Sequence, residues 1–177
     1  AEDVLLVGVS KTVDVGRIRA AVAAGLGALG ENRVQEARDK IAEVGRSVQW
    51  HLVGHLQTNK VRDALELFDV IHSVDRTDLA REPDRRARAK GRTIDAFVQV
   101  NVGGELSKGG WPPEAVETAV QAVAALGGLK LRGLMTIPPA VERPEDARGW
   151  FRTLRKLAER HGLSELSMGM RADFDVA

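Results

Sequence analysis

Residues 5–12 read LLVGVSKT, an apolar run that stops on a lysine. Side chains alternate along a strand, so Lys11 shares a face with Leu5, Val7 and Val9. If that face lines the inside of a barrel, the amine rises from the core into the mouth. Desolvation there favours the neutral amine, which is the form that attacks a carbonyl. Taken alone, the residue reads more readily as a surface lysine that begins a loop, so the rest of the chain has to decide.

Short apolar runs recur along the sequence. Strands are expected at 4–10, 28–32, 49–54, 70–75, 94–102, 129–137 and 165–170. Helical patterns lie between them. In VGRIRAAVAAG (15–25) the residues at 15, 18, 21 and 22 form an apolar stripe. PPEAVETAVQAVAAL (112–126) opens on prolines and closes before Gly127, and RPEDARGWFRTLRKLAERHG (143–162) runs from acids to bases along the helix dipole. The basic run at 81–92 reads as a solvated helix face, Thr58 or Asn59 as a helix cap, and Trp50, Trp111 and Trp150 as packing.

Alternating strands and helices imply right-handed βαβ units and a parallel sheet. Polar residues stand at or near almost every strand exit: Lys11, Asn32, His51, His55, Ser73, Asp75, Asn101, Thr136 and Ser167. A doubly wound sheet concentrates its site at one switch point, whereas a barrel draws on all its strand ends. Neither GxGxxG nor GxxxxGK[ST] occurs. The expected class is therefore α/β, a (β/α)8 TIM-type barrel formed as one domain over residues 1–177. Only seven strands are read, and such a barrel closes with eight. The eighth strand, and the first helix ahead of Ala1, are expected to lie outside this sequence.

The composition narrows the function classes. Lys plus Arg number 26 against 25 Asp plus Glu, a net charge of +1, which gives no reason to expect nucleic acid or an anionic membrane as partner. Cysteine is absent, so disulfides, thiolate metal sites and a cysteine nucleophile are excluded. No His, Asp or Glu cluster has metal-ligand spacing, and no metal is expected. The N-terminal run is too short for a signal peptide or a membrane span, and a soluble, cytoplasmic monomer is expected.

GVSKT (8–12), GENRVQE (30–36), WHLVGHLQTNK (50–60), HSVD (72–75), SKGG (107–110), GLMTI (133–137) and LSMGM (166–170) occur in this order. Together they resemble the pyridoxal 5′-phosphate (PLP) homeostasis protein family over essentially the whole chain. The resemblance implies a PLP-binding barrel similar to the N-terminal domain of alanine racemase, with PLP carried on Lys11 as a Schiff base. It also implies that Asn32, His51 and Met135 surround the cofactor and that the SMGM turn, with Ser167 and Gly169, lies on its phosphate side. The implied role is PLP supply and balance, with apo PLP-dependent enzymes as partners and no established reaction. Arg171 stands where the family has serine, and the family's final Arg-x-Gly strand is absent from the sequence.

The residues themselves add physical detail. Gly169 lets backbone N–H groups approach a phosphate, and RADFDVA (171–177) reads as a first helical turn that would attract it. Asn32 alone reads as a turn-former and His51 as a core histidine. Two catalytic alternatives stand beside the carrier. An amino-acid racemase of the alanine type uses a tyrosine base, and this chain has no tyrosine. A lysine aldolase would form its Schiff base with substrate and need no cofactor.

Overall fold

A computed structural model describes residues 4–105 and 107–177. Seven strands form one sheet: β1 (Val7–Val9), β2 (Ala28–Glu31), β3 (Gln49–Leu52), β4 (Val70–Val74), β5 (Ile94–Gln99), β6 (Leu129–Met135) and β7 (Glu165–Ser167). Six α-helices follow the first six strands in turn: α1 (Val15–Ala23), α2 (Val34–Val44), α3 (Val61–Leu67), α4 (Thr77–Ala89), α5 (Val116–Ala124) and α6 (Arg148–Arg160). Every strand pairing is parallel and the spatial order is the chain order, β1 to β7. No reversal point exists in that order, so the sheet is singly wound, as a barrel is.

The sheet curls into a half-barrel. Strands lie about 4.8 Å apart, so three steps across a flat sheet would separate β4 from β7 by roughly 14 Å. Yet His72 on β4 and Ser167 on β7 are hydrogen-bonded at 2.7 Å. Only a curved sheet brings two such side chains together over its concave face. Described residues supply seven of the eight expected strands, and β1 and β7 are the edges.

The two faces of the sheet differ in what covers them. Leu29, Trp50, Leu52, Ile71, Ala96, Val98 and Leu134 join the large core beneath the helices. On the concave face, Val70, Phe97 and Met135 form a separate small cluster with Ile137 packed against it. The face opens towards β1, where Leu5 is 60% and Val9 44% exposed.

Each expected strand is present but shorter than read, most of all β1, since residues 4–6 lie outside it and are exposed. The basic run falls on α4, whose Leu79, Ala80, Pro83 and Ala87 are buried while Arg85 and Arg86 pair outward with Glu82. Trp50 is fully buried, and its indole N–H donates to the Gly45 carbonyl at 3.0 Å. Two local expectations fail. Thr58–Lys60 forms a short 3-10 turn leading into α3, and neither Thr58 nor Asn59 caps the helix. Residues 171–176 form turns instead of a helix. Gly169 (φ +86°) and Arg171 (φ +43°) bend the backbone the wrong way, and the Asp173 side chain takes the Met170 N–H. The anion-attracting helix start expected there does not form.

Candidate functional site

Because all strands are parallel, their C-terminal ends share one rim. Lys11 stands two residues past β1, Asn32 one past β2 and Gly169 two past β7; Met135 and Ser167 end β6 and β7, and His51 is next to last in β3. The rim therefore gathers all six residues singled out in the sequence.

Their environments differ. The Lys11 side chain is exposed, because the turn at residues 11–12 lifts it clear of the strand. Val7 and Val9 do face inward, since a Cβ on Gly30 of the concave face would touch both. Lys11 itself does not share the enclosure that its parity with these valines predicts. Asn32 is half-buried, and its backbone sits so near Gly54 that a Cβ there would lie 2.3 Å from the Asn32 carbonyl oxygen. Gly169 at φ +86° would bring a Cβ within 2.7 Å of the Ala177 side chain, so glycine is required for both its conformation and its packing.

His51, Met135 and Ser167 meet on the concave face through a residue the sequence reading passed over. His51 Nδ1 and His72 Nε2 are 2.8 Å apart, and His72 Nδ1 lies 2.7 Å from Ser167 Oγ. The His72 ring stacks on Phe97 with centroids 4.7 Å apart, and Phe97 packs with Met135. Burial, then the neighbouring His51 ring, pushes the His72 pKa down to about 3. Burial lowers that of His51 as well, against the pull of Asp69 and Asp95. Both rings are thus neutral at ordinary pH, each with one donor and one acceptor nitrogen.

Neutral rings in series allow only two hydrogen-bond directions. If Ser167 donates to His72, then His72 donates to His51 and His51 Nε2 carries a proton. If the chain reverses, the Ser167 hydroxyl proton is free and His51 Nε2 is a bare acceptor. His51 Nε2 is buried and has no partner among the described residues. What Ser167 touches therefore fixes what His51 offers at the other end.

Several other polar strand exits serve the fold. Thr136 Oγ1 donates to the Val100 carbonyl at 2.8 Å and Asn101 Nδ2 to that of Glu105 at 2.9 Å. Asp75 pairs with His55 and Arg76 at 3.1 and 2.8 Å. Among the described residues, no group of three or more His, Cys, Asp or Glu is placed to hold a metal ion, and no helix is long and apolar enough to cross a membrane.

Set beside known proteins, residues 2–171 match the family described as alanine racemase, N-terminal domain. The pyridoxal phosphate homeostasis protein of Aquifex aeolicus is 44% identical over 97% of this chain and 78% of its own length. The chain belongs to the pyridoxal phosphate homeostasis protein family. The member from Escherichia coli K12 is 36% identical over 99% of this chain and 79% of its own. Among solved structures, PipY of Synechococcus elongatus PCC7942 without PLP superposes with a TM-score of 0.91 at 38% identity, covering 99% of this chain and 86% of PipY. PipY with PLP bound gives 0.87 at 37%, covering 97% and 84%. An alanine racemase of Clostridium difficile shares the fold, with a TM-score of 0.76 at 14% identity over 95% of this chain and 46% of the racemase. Family members are named for cofactor homeostasis and not for a reaction.

Proposed function

We propose that this chain holds pyridoxal 5′-phosphate reversibly on Lys11 and serves intracellular PLP homeostasis, buffering the cofactor or handing it to apo-enzymes. The observation that carries the reading is membership of the homeostasis family together with the PLP-bound state of PipY. The residues present fit the group. Lys11 offers an exposed amine, and the carboxylates of Glu31 and Glu36 are both engaged by Lys40. Nζ attacks the aldehyde carbon, the oxygen leaves as water, and a Schiff base results.

At the opposite edge, the Ser167 hydroxyl and the backbone turn at Gly169 suit a phosphate, since a free O–H and backbone N–H groups are the donors it needs. Asn32, His51 and Met135 are proposed to line the space between. The neutral histidines favour this use, because a buried imidazolium would tie itself to the phosphate and resist release.

The reading is tested by loading the purified protein with PLP, following absorbance, and mixing it with an apo PLP-dependent enzyme. The expected result is a bound chromophore that drains to the acceptor. Typical enzymes turn over about 1–1000 times per second. Loss of the α-proton of alanine in deuterium oxide at such rates would overturn the carrier reading in favour of a PLP-dependent racemase.

A further inference from the structure

Lys11 is flanked by Ser10 and Thr12, and one side-chain network grips both. Lys40 of α2 donates to the Ser10 carbonyl at 2.5 Å and to Oε1 of Glu31 and of Glu36 at 2.7 Å each. The Ser10 hydroxyl donates to the same Glu31 oxygen at 2.6 Å. On the far side of Lys11, the Thr12 N–H donates to Glu36 Oε1 at 2.8 Å. Glu31 is fully buried and Lys40 is 8% exposed.

The grip has a conformational purpose. Thr12 has φ +62°, a left-handed conformation that is costly for a β-branched residue. Such a turn relaxes unless its surroundings over-determine it. Glu36 supplies that constraint through the Thr12 N–H, and Lys40 fixes Glu36 to the Ser10 carbonyl one residue before Lys11. The backbone on both sides of the lysine is thereby clamped to α2.

We infer that Lys40 and Glu36 are positioning residues for Lys11, holding residues 10–12 in the strained turn that presents its amine at the rim. Lys40 has an electrostatic role in the same act. Burial opposes its charge, but Glu31 and Glu36 together outweigh that and hold its pKa above the ordinary lysine value. The ammonium of Lys40 pairs with one oxygen of each carboxylate, Oε1 of Glu31 and Oε1 of Glu36, and so offsets the negative charge that lies beside the Lys11 turn.

The inference rests on Lys11 being the PLP lysine, and the experiment separates the two claims. Three proteins are compared: the parent chain, Glu36→Ala and Glu36→Gln. Glutamine keeps an oxygen for the Thr12 N–H and for Lys40, while alanine keeps neither. Amide exchange at Thr12 is read first, without cofactor. It is expected to be protected in the parent and in Glu36→Gln and to accelerate in Glu36→Ala. Titration with PLP is read second. Of the two hydrogen bonds lost in Glu36→Ala, the one to Thr12 alone predicts PLP affinity roughly two- to tenfold weaker, with Glu36→Gln restored to near the parent value. A Glu36→Ala protein whose Thr12 exchange and PLP affinity both match the parent would overturn the inference. So would one that only melts earlier while its folded fraction binds PLP as well as before, since that is a purely structural role. Borohydride fixation of the parent on a lysine other than Lys11 would instead overturn the PLP assignment, and Thr12 exchange would still judge the clamp.

Discussion

The Ser167 hydroxyl lies 2.7 Å from Nδ1 of His72, joining β7 to β4 across the concave face although ninety-five residues separate them. His72 in turn meets His51 at 2.8 Å, so three strands share one hydrogen-bonded line. Replacing His72 with Phe keeps a flat ring against Phe97 but leaves His51 Nδ1 and Ser167 Oγ without their partner. Leaving buried polar groups unpaired costs roughly 1–3 kcal/mol. Urea unfolding of His72→Phe is therefore expected to show a lower midpoint at unchanged slope. An unchanged midpoint would mean that the line adds nothing to the fold.

Acid should weaken the fold through the same residues. The His72 pKa, ordinarily 6.5, is pushed down to about 3 by burial and then by His51. Between those values the unfolded chain binds a proton that the folded chain refuses. The contribution is thus intact above pH 6.5 and lost as pH falls towards 3, at up to about 1.4 kcal/mol per unit for His72. His51 acts in the same direction, with Asp69 and Asp95 opposing. Unfolding free energy measured from pH 7 down to pH 4 should decline, and the decline should be shallower in His72→Phe.

Two glycines give opposite expectations. A Cβ on Gly54 would sit 2.3 Å from the Asn32 carbonyl oxygen and 2.6 Å from its Cα, so Gly54→Ala must push Asn32 off the rim. Overpacking of this kind costs about 1–3 kcal/mol, and PLP affinity should fall with it. Gly149 lies exposed in α6, and an alanine methyl there would meet nothing within 4 Å. Gly149→Ala should raise stability by about 0.5–1 kcal/mol through helix propensity and leave PLP affinity unchanged.

Arg171 is exposed and left-handed at φ +43°, which fits a guanidinium directed to solvent. A serine at this position would supply a short hydroxyl that arginine does not. One neutral hydrogen bond is worth about 0.5–1.5 kcal/mol, so Arg171→Ser is expected to tighten PLP binding roughly two- to tenfold. Equal or weaker binding by the serine variant would mean that the guanidinium engages the phosphate.

Much of this was legible in the sequence, and the gaps have physical causes. Strand positions followed from apolar runs bounded by turn residues, and the barrel class from polar residues at successive strand exits. Lys11 was placed by its strand-exit position, its parity and the VSKT resemblance, but its exposure was not readable, because it depends on the left-handed turn at Thr12. His72 escaped notice for a different reason. It sits mid-strand, and only curvature brings β4 against β7. Its parity with Val70 on the concave face was the available clue. Lys40 escaped because its spacing from Glu36 is that of an ordinary surface pair on a helix. Nothing local says that this pair is turned inward onto Glu31. The turn after Met170 was misread as a helix because composition there favours one, while the two left-handed residues prevent it.

The central claim is that Lys11 is the residue that carries PLP. Borohydride reduction of the PLP-loaded protein, followed by peptide mapping and repeated on Lys11→Ala, tests it most directly. The account predicts one fixed label, on the peptide containing Lys11, and none in the Lys11→Ala protein. A Lys11→Ala protein that still fixed PLP at full stoichiometry, on Lys60, Lys108 or any other lysine, would contradict it.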